Sequence, residues 1–253
     1  MVAAMPGTLV LLRHGQSIWN RENLFTGWHD VDLTDQGLAE AADAGRVMLA
    51  EGLRFDIAHT SVLTRAVRTT HLALDEMGQV WLPVQRHWRL NERHYGALQG
   101  LDKKATTERH GAEQTNLWRR SYDVPPPPVD TDSPEHPIND PRYRHLPPDV
   151  LPASECLADV VLRVLPYWYD VIAPQLLAGL DVLVGAHGNS LRALVMHLED
   201  ISRDDIAELN IPTGVPRRYT FDDHLGVRTA EYQGDQEAIA AAAAAVAAQA
   251  GSH

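Results

Sequence analysis

Thr8-Leu9-Val10-Leu11-Leu12-Arg13-His14-Gly15 begins as an apolar run of β-formers and ends on a cation, an imidazole and a glycine. The run predicts a buried strand that delivers its last residues into a loop. The same arrangement recurs twice downstream. Phe55-Asp56-Ile57-Ala58-His59-Thr60-Ser61 reads as a second strand, followed by a helix over Thr64 to Leu74 with Arg65 in its first turn. Asp181-Val182-Leu183-Val184-Gly185-Ala186 reads as another, and His187-Gly188-Asn189-Ser190 leads from it into a helix from about Leu191 to His197. Between these units, Thr34 can cap a helix whose Leu38, Ala41, Ala42, Gly45 and Leu49 recur on one face. Val80–Val84 reads as a short strand, and Leu157, Val160, Val161, Val164 and Leu165 mark an amphipathic helix. Strands alternating with helices predict an α/β fold: three layers, with a mostly parallel sheet flanked by helices. Such sheets bind ligands in loops beyond the carboxyl ends of their strands, where His14, the Ser61–Arg65 turn and His187 all fall.

The length of 253 residues suits one domain over 1–235 carrying an insertion at about 92–152. Residues 121–152 hold ten of the sixteen prolines, which excludes helix and central strand there. The alanine-rich stretch 236–253 has no apolar face to dock and is expected to be disordered or marginally helical. A net charge of −12 argues against nucleic acid and anionic membrane as partners. The single cysteine, Cys156, excludes an intramolecular disulfide and is expected to be a small buried hydrophobe. No signal peptide and no apolar run of about 18 residues is found, so a cytoplasmic protein is expected.

A neutral imidazole is a good nucleophile near pH 7, and its attack on a phosphoryl group splits a hard transfer into two easier ones. The transferring group carries charge on its equatorial oxygens and needs fixed cations around it. Arg13 and Arg65 supply them, while Gly15 would let the backbone approach a phosphate. His187-Gly188 at a helix start adds free amides and a second imidazole. Neither a Gly-x-x-x-x-Gly-Lys-Ser/Thr loop nor a His-Glu-x-x-His pattern occurs, and the other histidines lack ligand spacing; a reaction without metal is expected.

Leu11-Leu12-Arg13-His14-Gly15-Gln16-Ser17 with Trp19-Asn20 resembles the histidine phosphatase superfamily. Further blocks narrow the resemblance: Phe25-Thr26-Gly27-Trp28, Thr60 to Ala66, Trp88 to Gly100, Trp118 to Tyr122, Ala186 to Arg192 and Asn210 to Gly214. Across residues 8–220 they are similar to the 2,3-bisphosphoglycerate-dependent phosphoglycerate mutases. The resemblance implies that His14 is phosphorylated, with 2,3-bisphosphoglycerate as the priming donor. It implies that Arg13, Arg65 and His187 hold the transferring group and that Glu92 exchanges the proton of the substrate hydroxyl. A carboxylate beside a dianionic phosphate holds its proton more readily, which suits that duty. The second anionic end of the substrate would be held by Arg93, Tyr95, Lys103, Arg119 and Arg120. Ser17, Asn20, Thr26, Gly27, Gly188 and Asn189 would complete the pocket. The implied substrates are 2- and 3-phosphoglycerate, in glycolysis and gluconeogenesis, and a homo-oligomer is expected whose size the sequence does not give. Ile18 departs from the acidic residue that many members carry there, implying at most a changed rim.

Two other readings share these residues. A hydrolase of the same superfamily would use His14, Arg13, Arg65 and His187 but pass the phosphoryl group to water; the block 88–122 favours the mutase. A non-catalytic phospho-ligand binder would be expected to have lost a reactive group, and this chain keeps them all.

Overall fold

The computed structural model describes residues 5–251. In chain order its elements are β1 (Leu9–Arg13), α1 (Ile18–Arg21), α2 (Asp35–Ala50), β2 (Ile57–Thr60), α3 (Thr64–Glu76), β3 (Val84–Arg86), α4 (Lys103–His110), α5 (Ala112–Arg120), α6 (Leu157–Tyr167), α7 (Ala173–Leu177), β4 (Val182–Ala186), α8 (Gly188–Leu198), β5 (Pro216–Phe221), β6 (Val227–Tyr232) and α9 (Gln236–Gly251). The strands form one sheet in the order β3-β2-β4-β1-β5-β6. The first four are parallel, and β5 and β6 add antiparallel strands at one side.

Strand periodicity explains the layers, because successive side chains point to opposite faces. Leu9 and Leu11 of β1 join Val182, Val184 and Ala186 of β4 in a core under α6 and α8. Val10, Leu12 and Leu183 face the other way, into a core with Ala44 and Met48 of α2 and Ala73 and Leu74 of α3. The expected mostly parallel, three-layer α/β architecture is therefore present.

Thr34 caps α2 as expected, its Oγ1 accepting from the Gly37 amide at 3.0 Å. The buried face of α2 runs through Ala41, Ala44, Gly45 and Met48, however, and Leu49 is exposed. The short strand lies at Val84–Arg86 rather than Val80–Val84. Val80 and Trp81 are exposed, and the preceding Gln79 bridges both the amide and the carbonyl of Phe55 through its side chain.

In the proline-rich stretch no α-helix or strand forms, only short 3₁₀ turns. It packs on the loop that follows Glu92, where the Ala97 amide donates to the Pro127 carbonyl at 2.9 Å, and its two ends are tied by Ser154 Oγ donating to the Pro126 carbonyl at 2.7 Å. Tyr143 and Leu151 from this stretch join Trp28 and Trp88 in a third, smaller core.

Candidate active site

Sheet register brings the site together. Arg13 lies beside Ala186, and Thr60 beside Gly185, so β1 and β4 end level and β2 ends one residue earlier. The next residues, His14, Ser61 and His187, are then neighbours. His14 continues the ladder by donating its amide to the Ala186 carbonyl at 3.0 Å, and the His14 and His187 rings meet edge-on with centroids 5.0 Å apart.

The tautomer of His14 follows from the partner of its Nδ1. Nδ1 lies 2.7 Å from the Gly15 carbonyl, which only accepts, so Nδ1 carries the hydrogen and Nε2 keeps a bare lone pair. Burial, then Arg65 and Arg13, hold the imidazole well below its ordinary value of 6.5, in the neutral form. His187 is likewise held well below 6.5 by burial, with Arg65, His14, Arg163 and Arg13 adding to it. Its Nε2 pairs with Ser61 Oγ at 2.7 Å.

Gly15 serves packing rather than phosphate access. A Cβ there would stand 2.2 Å from the Gly37 carbonyl oxygen of α2, so the glycine is required for the helix to approach β1's loop. The loop 25–29 is bent by Gly27 at φ +56°, and its carbonyls point at Arg65: NH2 donates to Gly27 at 2.7 Å and NH1 to His29 at 3.0 Å. Burial pushes Arg65 down to about 10, so it stays a fixed cation at neutral pH. Arg13 is held by the Ile211 carbonyl at 2.6 Å, while its Nε makes no hydrogen bond among the described residues.

Glu92 is buried opposite. Its Oε1 accepts from the amides of Arg93 at 2.7 Å and Asn189 at 3.0 Å. Oε2 is left toward the space beside Gly188, where a Cβ would lie 3.5 Å from it and 3.6 Å from the Arg13 guanidinium.

These groups wall an open cleft between the strand ends and the insertion. Thirteen of the sixteen residues expected from sequence line it: His14, Glu92, Arg13, Arg65, Asn20, Thr26, Gly27, Tyr95, Lys103, Arg119, Arg120, Gly188 and Asn189. The other three stand behind it. Ser17 caps α1, accepting from the Asn20 amide at 3.2 Å, and His187 backs His14. Arg93 is fully buried under the Tyr95 ring and donates to the Arg119 carbonyl at 2.9 Å. Ile18 does not line the cleft.

Far from His14 in sequence, Lys103, Arg119 and Arg120 supply further cations, with Lys103 pushed down to about 8 chiefly by burial. Arg192 lines the cleft too, and sequence reading gave it no role. Its NH1 donates to Asn189 Oδ1 at 3.0 Å while its Nε makes no hydrogen bond among the described residues. An arginine within the buried run Asn189–Val195 of α8 was the available signal.

Among the described residues no group of three or more histidines, cysteines or carboxylates is placed to hold a metal ion, and no helix is long and apolar enough to cross a membrane.

Residues 9–137 match the model of the histidine phosphatase superfamily (branch 1). A 2,3-bisphosphoglycerate-dependent phosphoglycerate mutase of Nitratidesulfovibrio vulgaris strain Hildenborough is 61% identical over 241 residues, covering 95% of this chain and 96% of that protein. Its counterpart in strain Miyazaki F is 62% identical over 242 residues, covering 96% and 97%. Among solved structures, an α-ribazole-5′-P phosphatase of Escherichia coli superposes with a TM-score of 0.67 at 20% identity, covering 90% of this chain and 97% of that one. A mycobacterial glucosyl-3-phosphoglycerate phosphatase does so with 0.67 at 22%, covering 89% and 97%. At that identity the two structures speak for the fold alone. The converging strand ends, the paired imidazoles and the near-full-length relatives lead to one conclusion: this chain belongs to the histidine phosphatase superfamily, and within it to the 2,3-bisphosphoglycerate-dependent phosphoglycerate mutases.

Proposed function

We propose that this chain interconverts 2- and 3-phosphoglycerate in glycolysis and gluconeogenesis, through a phosphohistidine on Nε2 of His14 that 2,3-bisphosphoglycerate primes. The observation that carries the mechanism is the tie from Nδ1 to the Gly15 carbonyl, which leaves a bare Nε2 beside two buried arginines. Arg13 and Arg65 offset the charge of the transferring group without any reorganisation at the moment of reaction. His187, neutral among cations, would take up a proton more easily once a dianion sits beside it, because the anion reverses the local field. Glu92, with Oε1 held by two amides, presents Oε2 to accept the proton of the attacking hydroxyl and to return it to the leaving oxygen.

Lys103, Arg119, Arg120 and Arg192 fit a ligand with a second anionic end, and Arg13 Nε and Arg192 Nε make no hydrogen bond among the described residues. That second clamp favours a hydroxyl acceptor over water. The reading extends to a metal-independent, cytoplasmic homo-oligomer, its copy number measurable by light scattering. Turnover of 3-phosphoglycerate with and without catalytic 2,3-bisphosphoglycerate tests the function. Isomerisation that depends on the bisphosphate supports it; stoichiometric phosphate release without isomerisation would make the chain a hydrolase.

A further inference from the structure

Glu92 sits in a stretch with no helix or strand to hold it. A 3₁₀ turn ends at Leu90 and the next begins at Gly96. The intervening backbone is held by the Trp28 indole N–H, which donates to the Glu92 carbonyl at 2.5 Å, and by a buried ion pair between Arg163 of α6 and Glu155 just before that helix. Arg163 lies on the core-facing side of that helix with Leu157, Val160, Val164 and Tyr167. Its Nε donates to Glu155 Oε1 at 2.5 Å, and its NH2 to Glu155 Oε2 and the Glu92 carbonyl, both at 2.9 Å. Its NH1 donates to the carbonyls of Arg89 at 2.6 Å and Asn91 at 3.1 Å. An arginine has five N–H groups in a planar fork, so all are used. Glu155 completes the clamp: Oε2 accepts from the His94 amide at 2.8 Å, and the Glu155 amide donates to the His94 carbonyl at 2.9 Å.

We infer that Arg163 and Glu155 form a positioning unit for the proton-exchanging carboxylate, setting the backbone of 89–94 so that Glu92 Oε2 meets the substrate hydroxyl. The inference rests on the role proposed above for Glu92. Neither residue lines the cleft, so neither touches substrate. A buried ion pair is weak evidence for stability by itself. Here four of its hydrogen bonds go to the chain that carries Glu92: three from Arg163 and one into Glu155. A shift of a fraction of an ångström in a proton-transfer group is costly to rate while substrate binding, held by other elements, is preserved.

The test is a double-mutant cycle on the full chain with 3-phosphoglycerate. Arg163→Lys keeps the charge but loses the fork, and Glu155→Gln keeps the shape but loses the charge; either serves if the other fails to fold. Each is expected to lower kcat by about 10- to 100-fold, the range for groups that orient a reacting residue, with KM and calorimetric Kd for 3-phosphoglycerate within about threefold. In a Glu92→Gln background, itself expected to be about 10²- to 10⁴-fold slower, the further loss shrinks below about threefold, since residues acting as a unit are not additive. An undiminished loss in that background, or substrate binding that weakens in step with kcat, overturns the positioning role. Glu92→Gln with near-parental kcat would instead overturn the reading of Glu92, and the inference with it.

Discussion

Replacing Arg65 with glutamine takes a buried cation away from both imidazoles, since Arg65 is among the charges that depress His14 and His187. Glutamine still offers one donor to the Gly27 carbonyl, so the 25–29 loop keeps an anchor. The charge is lost. A unit charge about 4 Å from a transferring phosphoryl, at an effective dielectric of about 20, is worth about 4 kcal/mol. At about 1.4 kcal/mol per tenfold, kcat falls by about a thousandfold. A second consequence follows from the sign of the electrostatics. Arg65 makes His14 harder to protonate, so its removal lets the imidazole take up a proton at higher pH and become unreactive there. The acidic limb of the kcat/KM profile therefore moves upward. Turnover of 3-phosphoglycerate across pH measures both effects, with thermal unfolding as the control for folding. A kcat within tenfold of the parent, or a limb that does not move, would refute the assignment of Arg65 to the phosphoryl site.

Gly27→Ala meets two obstacles: φ of +56° and a Cβ that would stand 2.1 Å from Gln99 Oε1; a stability loss of about 1–2 kcal/mol by urea titration, with reduced kcat from a displaced Arg65, is expected. His94 predicts an acid-side weakness. Its Nδ1 accepts from the Gly96 amide at 3.0 Å, and burial, only partly countered by Glu155, pushes it down to about 4 from 6.5. The unfolded chain takes up this proton first, so the stability from neutral His94 is full above about pH 6.5 and lost as pH falls toward 4, by at most about 3 kcal/mol; urea midpoints at pH 7 and 4.5 should differ less in His94→Gln. Extensive treatment with a chelator should leave 3-phosphoglycerate turnover intact, whereas loss rescued only by a divalent ion would contradict the use of Arg13, Arg65 and His187 as the positive charges.

What was legible in the sequence followed from local rules. An apolar five-residue strand running straight into Arg13-His14 announces its own loop, and the same pattern at Ser61 and His187 places three loops at one edge of a parallel sheet. The departures arose where side chains bond to backbone at long range. Val80–Val84 has strand composition, but Gln79 is tied to Phe55 and delays the strand to Val84. Pro216 heads β5, and a proline there masks a strand that pairs at the antiparallel side of β1. Arg163 reads as one more charge in an amphipathic helix until the carbonyls of Arg89, Asn91 and Glu92 are seen around it. Its position among Val160, Val164 and Tyr167 was the one local hint. Arg93 was expected in the pocket on resemblance; its burial beneath Tyr95 places it as a support for that wall.

Whether His14 Nε2 carries the phosphoryl group is decided by intact mass after incubation with 2,3-bisphosphoglycerate. The expected result is a gain of one phosphoryl group that is labile to acid and absent in His14→Ala. No gain, or a gain that resists acid or persists in His14→Ala, would contradict it.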